Sequence, residues 1–350
     1  MPELLKQELE EGILLGCGNP LLDYQARVTK EFLDKWKLKE NDAILLDDDR
    51  ASIFDELEKN FEVQLLPGGA TQNALRVCQW VLNKPNCTVF FGAIGDDKYG
   101  KTLKQKTTEA GVNVQYQVNS NAKTGTCAAM LYKEHRSLCA HLSAANTFTE
   151  DHLDKIENQQ IIEKARYYYI SGYFITVCPP ALIRIAKHSY EKEKTFMMNL
   201  SAPFVPKFYM KVLNEVLPYV DVLFGNESEA VSFAEAFNFG TKDIVEIARR
   251  IADWPKKNTK TQRMIVFTQG ADPTYVVYGT TVLKFPVQKL LPSEMVDTNG
   301  AGDAFVGGFL AQYIQGKSIE ECIRCGQFTA VTVIKQSGCT LPAVCSYTSS

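Results

Sequence analysis

The sequence predicts an α/β protein whose mostly parallel central sheet is covered by helices on both faces. Its 350 residues alternate short runs rich in β-branched and aromatic residues with helix-like segments, and this alternation is typical of strands joined by crossover helices. The runs are almost wholly apolar, as strands buried on both faces are. Hydrophobic residues make up 45% of the chain, which is enough for a large core.

The predicted elements follow one another along the chain. The strand-like runs are ILLGCG (13–18), TVFFGAI (88–94), YYYISG (167–172), FMMNLS (196–201), VDVLFG (220–225) and MIVFTQ (264–269). The helix-like segments are residues 71–82, 180–192, 208–217 and 242–253. Parallel strands need long crossover connections, and these helices supply them.

Two regions contain strand-like runs without full crossover helices. They are residues 19–45, with LLDYQARV, and residues 118–143, with TGTCAAMLYK. We expect these two segments to pair into a small β-sheet lid domain that is discontinuous in sequence. The large α/β domain then comprises residues 1–18, 46–117 and 144–350.

Charge and composition exclude several classes of protein. Lys and Arg total 38 and Asp and Glu total 41, so the net charge is 38 − 41 = −3 and no broad nucleic-acid surface is expected. No run of 18 apolar residues suggests a membrane span, and the acidic start is unlike a secretory signal. The ten cysteines are scattered and several stand in apolar runs, so they are expected as free thiols. Cys322 and Cys325 form a C-x-x-C pair, but without a second pair they are expected as a buried helical pair and not as a zinc site. We expect a cytoplasmic protein, with nuclear presence left open.

The stretch GDDKYGKT, residues 95–102, fits the G-x-x-x-x-G-K-[ST] pattern of phosphate-binding loops. An apolar run precedes it and a helix-like segment follows it, as such a loop requires. However, Asp96 and Asp97 would place two negative charges beside a bound triphosphate, where phosphate loops present N–H groups and a cation. The charges therefore disfavour a nucleotide site here.

A second candidate for phosphate binding is DTNGAGDAF, residues 297–305. Gly300, Ala301 and Gly302 stand where an extended segment gives way to a helix. The first N–H groups of a helix have no partner within it, and small residues let an anion approach them. The segment is thus a credible cradle for a phosphoryl group.

Asp303 follows this cradle directly. A carboxylate here would repel a static phosphate, but it could accept a proton from a hydroxyl that attacks the phosphoryl group. An acidic residue in the first turn also simply stabilises a helix. The residues alone leave both interpretations open.

DTNGAGDAF resembles the signature of the ribokinase-like sugar and nucleoside kinases of the PfkB type. Further motifs resemble that family in the same order along nearly the whole chain: CGNPLLD (17–23), PGGATQN (67–73), GAIGDDKYG (92–100), GNESEA (225–230) and FTQG (267–270). Several coincident motifs are far more specific than any one of them. The resemblance implies a ribokinase-like fold, and it assigns the segment around Gly95 to the scaffold near the substrate.

Several motifs are most similar to those of members that act on nucleosides. The resemblance therefore implies a monomeric enzyme that transfers the γ-phosphoryl group of ATP to the 5′-hydroxyl of adenosine, giving AMP and ADP in purine salvage. Its partners would be these two small molecules, with no nucleic acid and no membrane. Two alternatives stay open: a sugar or other nucleoside kinase of the same fold, and an inactive nucleotide-binding protein.

The same resemblance assigns catalytic roles. Asp303 would be the general base, and residues 300–302 would form the anion hole. Arg136, in KEHRSL, would reach the phosphates as a movable positive clamp when the lid closes. Without the family, Arg136 is interpreted as an ordinary solvated arginine.

The acceptor site is also assigned by resemblance. Asn19 and Asp23 would hold the ribose hydroxyls, although Asn-Pro also starts turns. Gly68 and Gly69 would let backbone approach the sugar, or would form a helix entry. The remaining acceptor-site candidates, mostly apolar residues for a flat purine slot, are Leu21, Leu45, Asn73, Cys127, Leu138, Ala140, Phe174 and Asn299. His141 departs from the asparagine of the family pattern.

For ATP and its metal, Asn226 and Glu229 form an N-x-x-E pair that would hold Mg²⁺, mostly through water. The pair also has the spacing of a capping box at a helix start. The other residues expected to contact ATP are Thr268, Gly270, Thr298, Gly300 and Gly302. Some relatives also bind a monovalent cation, K⁺, which here would lie near Asp297, Thr298 and residues 337–339.

Overall fold

The computed structural model describes residues 9–39, 43–47, 50–132 and 135–349. For Leu45 and Arg136 it describes the backbone alone. Both side chains therefore lie outside the described part of the chain.

The structure has strands in two sheets. The strands are β1 Leu14–Cys17, β2 Leu21–Arg27, β3 Ala43–Leu45, β4 Val63–Gly68, β5 Thr88–Gly95, β6 Asn113–Asn119, β7 Thr126–Tyr132, β8 His135–His141, β9 Tyr167–Ser171, β10 Thr195–Asn199, β11 Val222–Asn226, β12 Met264–Gln269, β13 Asp272–Tyr278 and β14 Thr281–Phe285. The large sheet has the order β14-β13-β12-β11-β10-β9-β1-β5-β6. In this order, the seven strands between β12 and β6 inclusive are parallel to one another. Strands β13 and β14 continue the sheet beyond β12 in antiparallel pairing.

Helices connect the parallel strands. They are α1 Lys30–Lys35, α2 Ser52–Asn60, α3 Ala70–Leu82, α4 Lys98–Glu109, α5 Ile156–Lys164, α6 Pro179–Glu191, α7 Phe204–Phe208, α8 Met210–Val216, α9 Glu227–Ala236, α10 Ile244–Ala252, α11 Ala301–Tyr313 and α12 Ile319–Ile334. No helix of the described ranges combines the length and apolar character that crossing a membrane requires.

Both faces of the large sheet are buried, because successive strand residues enter different apolar clusters. Phe90 and Tyr169 pack in one cluster with residues of α3 and α11. Their neighbours Phe91 and Tyr168 pack in another with residues of α6 and α10. The apolar runs of the sequence thus reflect strands covered on two sides, as expected.

The small sheet has the order β3-β8-β7-β2-β4. Four of its strands come from the two segments expected to form the lid. The fifth, β4, pairs antiparallel with β2, although the sequence analysis placed residues 46–117 in the large domain. The run VQLLPG is short and contains a proline, and its partner lies some forty residues earlier, so no local pattern indicated this pairing. That the small sheet moves as a separate lid domain stays a prediction.

The stretch GDDKYGKT forms part of the scaffold. The Asp97 carboxylate caps α4, where Oδ1 accepts from the Gly100 N–H at 2.7 Å and Oδ2 accepts from the Thr124 N–H at 2.8 Å. Burial raises the pKa of this carboxyl, but its hydrogen bonds to Thr124 and Gly100 lower it further, and the net direction is down. A carboxylate thus occupies the position at which a phosphate loop would hold its anion.

Candidate active site

The candidate residues collect where the parallel strands of the large sheet end. Asn19 follows β1, Asn226 ends β11 and Thr268 lies near the end of β12. The carboxyl ends of parallel strands lie at one edge of a sheet, which is the usual ligand edge of open α/β sheets. Helices α3 and α11 begin at this edge.

The anion cradle lies at the N-terminus of α11. Gly300 is the N-cap residue with φ of 75°, a left-handed conformation that favours glycine. A side chain added at Gly302 would meet no protein atom within 4 Å. The start of α11 is therefore open beside Gly302, as the predicted anion hole requires.

Asp303 lies in the first turn of α11, with its carboxyl group directed inward. Its Oδ2 accepts a hydrogen bond from Asn73 Nδ2 at 3.2 Å. Burial raises its pKa to about 7; the Asn73 hydrogen bond opposes this, and the charges of Asp23 and Glu229 add to it. The structure thus brings together Asp303, Asn73 and Asp23, from three distant parts of the chain.

Asp23 and Gly68 lie side by side in the small sheet. A Cβ atom at Gly68 would lie 2.1 Å from Asp23 Oδ1, so this close approach requires glycine. Gly69, the N-cap of α3, is equally close to the Asn19 carbonyl oxygen, which would lie 2.1 Å from an added Cβ. The two glycines therefore serve the packing of Asn19 and Asp23, beside any contact with a substrate.

The apolar candidates share one face of the small sheet. Asp23 pairs with Cys127, and Cys127 pairs with Ala140, so all three side chains point the same way. Leu21 and Leu138 lie two positions along their strands, on the same face, and both are half-buried. The backbone of Leu45 pairs with Ala140, and Arg136 lies two positions before Leu138 on β8.

Phe174 is placed differently from the rest of this set. Its ring is fully buried and packs edge-to-face on Phe148, with 5.5 Å between ring centroids. The adjacent Tyr173 is 37% exposed and lies 6.0 Å from the Phe204 ring. Partial burial, and then the charges of Asp303 and Glu229, raise the pKa of the Tyr173 hydroxyl, so this ring lies close to the site.

Asn226 and Glu229 form the capping box of α9. Asn226 Oδ1 accepts from the Glu229 N–H at 2.9 Å, and Glu229 Oε1 accepts from Asn226 Nδ2 at 2.8 Å. Glu229 is 5% exposed, and burial raises its pKa to about 7 despite N–H donors from Asn226 and Ser201. A cavity of about 60 Å³ lies beside it; residues lining this cavity include Asn199, Gly225, Thr268 and Gly302.

The remaining candidates surround the start of α11. Asp297 joins two loops, because Oδ1 accepts from the Asn299 N–H at 2.9 Å and Oδ2 from the Gly338 N–H at 2.8 Å. Thr298 is exposed, and its carbonyl oxygen accepts from the Ala301 N–H. Gly270 forms the turn between β12 and β13, with φ of 54°. No group of three or more His, Cys, Asp or Glu suited to a metal occurs among the residues that the structure describes.

Sequence reasoning missed several residues of this site. Tyr173 adjoins Phe174 at a strand end, so its position could have been found from the β9 pattern. Asn199 ends β10 and could have been found in the same way. Arg76 lies three positions after Asn73 on α3 and donates to its Oδ1; the i, i+3 spacing was the available signal.

Comparisons with known proteins identify the family of this chain. The profile of the pfkB family carbohydrate kinases matches residues 30–344. Adenosine kinase 2 of Arabidopsis thaliana is 48% identical over 332 residues, which cover 95% of this chain and 96% of that relative.

Solved structures give the same result. The crystal structure of Anopheles gambiae adenosine kinase in complex with P1,P4-di(adenosine-5) tetraphosphate is 48% identical, with a TM-score of 0.92 over 97% of this chain and 100% of that chain. Adenosine kinase from Schistosoma mansoni in complex with 2-fluoroadenosine is 34% identical, with a TM-score of 0.89 over 96% and 99% of the two chains. The expected ribokinase-like fold is confirmed, and the chain belongs to the pfkB family of carbohydrate kinases.

Proposed function

We propose that this chain is an adenosine kinase, which transfers the γ-phosphoryl group of ATP to the 5′-hydroxyl of adenosine and releases AMP and ADP. The observation that carries the proposal is the Asp303 carboxyl, whose pKa is raised to about 7 by burial, at the start of a helix that is open beside Gly302. The names of the similar proteins support adenosine as the acceptor. A free sugar would need polar partners in place of the half-buried Leu21 and Leu138.

The acceptor is held by the small sheet and by the turn after β1. The Asp23 carboxylate accepts hydrogen bonds from two neighbouring ribose hydroxyls, and Asn19 adds an amide contact. The apolar face lines the purine, which needs a flat slot with few polar groups. The residues assigned to this slot are Leu21, Leu45, Cys127, Leu138, Ala140 and Phe174, and Asn73 and Asn299 complete the acceptor side.

Asp303 accepts the proton of the 5′-hydroxyl as that oxygen attacks the γ-phosphorus. The bond between this phosphorus and the bridging oxygen of ADP breaks, and ADP leaves with the electron pair. A base whose pKa lies near 7 is well matched to this transfer at neutral pH. The N–H groups at residues 300–302 stabilise charge on the phosphoryl oxygens in a loose transition state.

Asn226 and Glu229 fit a magnesium site at the nucleotide side. Glu229 is a nearly buried carboxylate beside a small cavity that Thr268 and Gly302 also line, and Mg²⁺ commonly uses one or two carboxylates with waters. When bound, the metal supplies positive charge to the phosphates. Thr268, Gly270 and Thr298 line the approach of ATP.

A potassium site near Asp297, Thr298 and residues 337–339 is a further proposal. Each oxygen of the Asp297 carboxylate accepts an N–H group, and these two bonds hold two loops together at this position. We further propose that the small sheet, including β4, acts as a lid that brings Arg136 to the phosphates. We also propose a cytoplasmic monomer, as the family resemblance implies.

Phosphoryl transfer from labelled ATP tests the function. The acceptor panel contains adenosine, deoxyadenosine, guanosine, inosine, ribose and fructose, with Asp303→Asn as the blank. We expect AMP to form fastest, and Asp303→Asn to lower turnover by about 10²–10⁴ because the base is lost. Adenosine binding by the variant, measured by calorimetry, is the control for folding.

Each other outcome identifies what fails. Transfer only to a free sugar overturns the purine slot. Near-normal turnover by a folded Asp303→Asn protein overturns the base. ATP binding without transfer to any acceptor supports the inactive nucleotide-binding protein.

A further inference from the structure

Arg76 is a buried cation, and the Asn73 side chain lies between it and the Asp303 carboxylate. It is 7% exposed, and its Nη1 donates to Asn73 Oδ1 at 3.3 Å. Asn73 in turn donates from Nδ2 to Asp303 Oδ2 at 3.2 Å. The three side chains form one chain of donors that ends on the carboxylate.

Asn73 joins its two neighbours in only one orientation. With its amide reversed, Oδ1 would face the Asp303 carboxylate and the NH₂ group would face the guanidinium. Both contacts would then be repulsive, because a carboxylate only accepts and a guanidinium only donates hydrogen bonds. An Asn73 amide without Arg76 has no such preference from that side.

We propose that Arg76 is a positioning residue, which fixes the Asn73 amide so that its N–H group is always presented to Asp303. The inference rests on the proposed function, since it takes Asp303 as the base. Arg76 makes no contact with Asp303 itself among the described hydrogen bonds. It acts through Asn73.

The same guanidinium also holds the backbone on both sides of the site. Nη1 donates to the Pro67 carbonyl at 3.0 Å, just before the glycine pair, and to the Cys339 carbonyl at 3.3 Å. Cys339 packs against Gly300, with its Cβ 3.2 Å from the position of an added Cβ there. Arg76 thus joins the acceptor loop, the base and the anion cradle.

The variant Arg76→Met tests the orientation role through the pH dependence of kcat/KM. Groups that face Asp303 are Asp23 on β2, Glu229 on α9, Asn73 on α3 and the hydroxyls of Tyr169 and Tyr173. The hydrogen bond from Asn73 favours the ionised base, so its loss should move the acid limb to higher pH by about one unit. Glu229 is the other nearly buried carboxyl whose charge acts on Asp303, so each profile is repeated with Glu229→Gln at the same magnesium concentration.

Two further variants make the test specific. Asn73→Ala should give the same shift, and the double variant should shift no further, because both changes remove one hydrogen bond. Arg76→Lys keeps a cationic donor and should return the midpoint toward that of the unmodified protein.

Arg263→Met is the matched control. Arg263 is 1% exposed and donates to five backbone carbonyls, yet it precedes β12 at the opposite edge of the sheet. It should lower the melting temperature and leave the pH midpoint unchanged. The proposal is overturned if Arg76→Met lowers the melting temperature without shifting the pH midpoint. It is also overturned if the double variant shifts the midpoint further than either single variant.

Two remaining cases are decided as well. Where Arg76→Met yields no folded protein, Arg76→Leu, which also lacks a hydrogen-bond donor, is judged by the same midpoint. Near-normal turnover of Asp303→Asn would overturn the proposed base, whereas an unshifted Arg76 variant with an inactive Asp303→Asn overturns the positioning role alone.

Discussion

Two carboxyl groups of the site, Asp303 and Glu229, have pKa values of about 7, in each case chiefly because of burial. Their charges also raise the pKa values of neighbouring groups. Glu229 raises the pKa of Asp303, and both carboxyl groups raise the pKa of the Tyr173 hydroxyl. The site therefore holds negative charge that becomes favourable when a cationic ligand arrives. Such perturbed groups cluster at functional sites.

The raised pKa of Asp303 predicts a pH-dependent stability difference for Asp303→Asn. The folded-state pKa of about 7 lies above the ordinary 3.8, so the protonated group stabilises the fold at low pH, and this contribution is lost as pH rises through 7. The melting temperature of Asp303→Asn minus that of the unmodified protein should therefore be about 2 °C or more higher at pH 8 than at pH 5.

Calorimetry at both pH values checks this prediction. Asp272→Asn, at an exposed position, is the control. Its melting temperature should differ from that of the unmodified protein by the same amount at both pH values. A constant difference for Asp303→Asn would contradict a raised pKa.

Single residues were predictable from sequence where a motif names them. Asp303, Asn226 and Gly300 were identified by resemblance, and the structure places them at one edge of the sheet. Arg76 was not predicted, because its proposed role depends on the hydrogen bond between Asn73 and Asp303. These two residues lie 230 positions apart in the sequence. A basic residue on a helix usually faces water, so nothing local indicated burial.

At the scale of elements, the N-terminus of α11 predicts opposite effects for two glycines. Gly302→Ala should raise the free energy of unfolding by roughly 0.5 kcal/mol, because alanine suits a helix better. Its methyl group enters the open space of the cradle, so turnover should fall on the order of 100-fold through misplacement of the phosphoryl group. Denaturant unfolding and turnover assays measure both quantities.

Gly300→Ala is the comparison for that variant. It should lose about 1–2 kcal/mol of stability, because Gly300 has a left-handed conformation with φ of 75°. A destabilised Gly302→Ala, or one with full activity, would contradict the open cradle.

The start of α4 gives a further element-scale prediction. Asp97→Ala should lower the free energy of unfolding by about 1–2 kcal/mol, because the helix loses its N-cap and Thr124 loses its acceptor. Lys101→Ala should change neither stability nor the KM for ATP. A marked rise in that KM for Lys101→Ala would instead support a phosphate loop at GDDKYGKT.

Element types were predictable where periodicity was strong. The six strand-like runs and the segment 71–82 correspond to elements of the structure. Residues 208–217, expected as one helix, are divided between α7 and α8 at Tyr209, whose backbone is not helical at φ of −116° and ψ of 26°. The apolar pattern continues through this break, so periodicity alone could not reveal it.

At the scale of the whole molecule, the two sheets are joined by very short connections. Only residues 18–20 separate β1 from β2, and Gly68 is followed at once by the N-cap of α3. The acceptor-site candidates Asn19 and Gly69 thus lie in the connections themselves. Sequence could not show this, because the pairing of β4 with β2 is non-local.

The proposed lid predicts a kinetic effect at Arg136. Arg136→Ala should lower turnover more than it weakens adenosine binding, because a clamp on the phosphates acts mainly in the transition state. Turnover assays and calorimetry with adenosine measure the two effects. Ser137→Ala is the control, since its hydroxyl donates to the Lys39 carbonyl at 2.6 Å and should affect stability alone. Equal losses for Arg136→Ala would contradict a transition-state role.

The hydrogen bond between Asn73 and Asp303 can form only after the ribosome has made most of the chain. All acceptor-site candidates except Asn299 lie at or before Phe174. Asp303 emerges about 130 residues later, which takes on the order of ten seconds at usual translation rates. In that interval β1 can already pair with both β5 and β9. Under the proposed function, a nascent chain would thus have most of its nucleoside-binding residues before it has a base or a phosphoryl cradle, so an unfinished chain could not consume ATP.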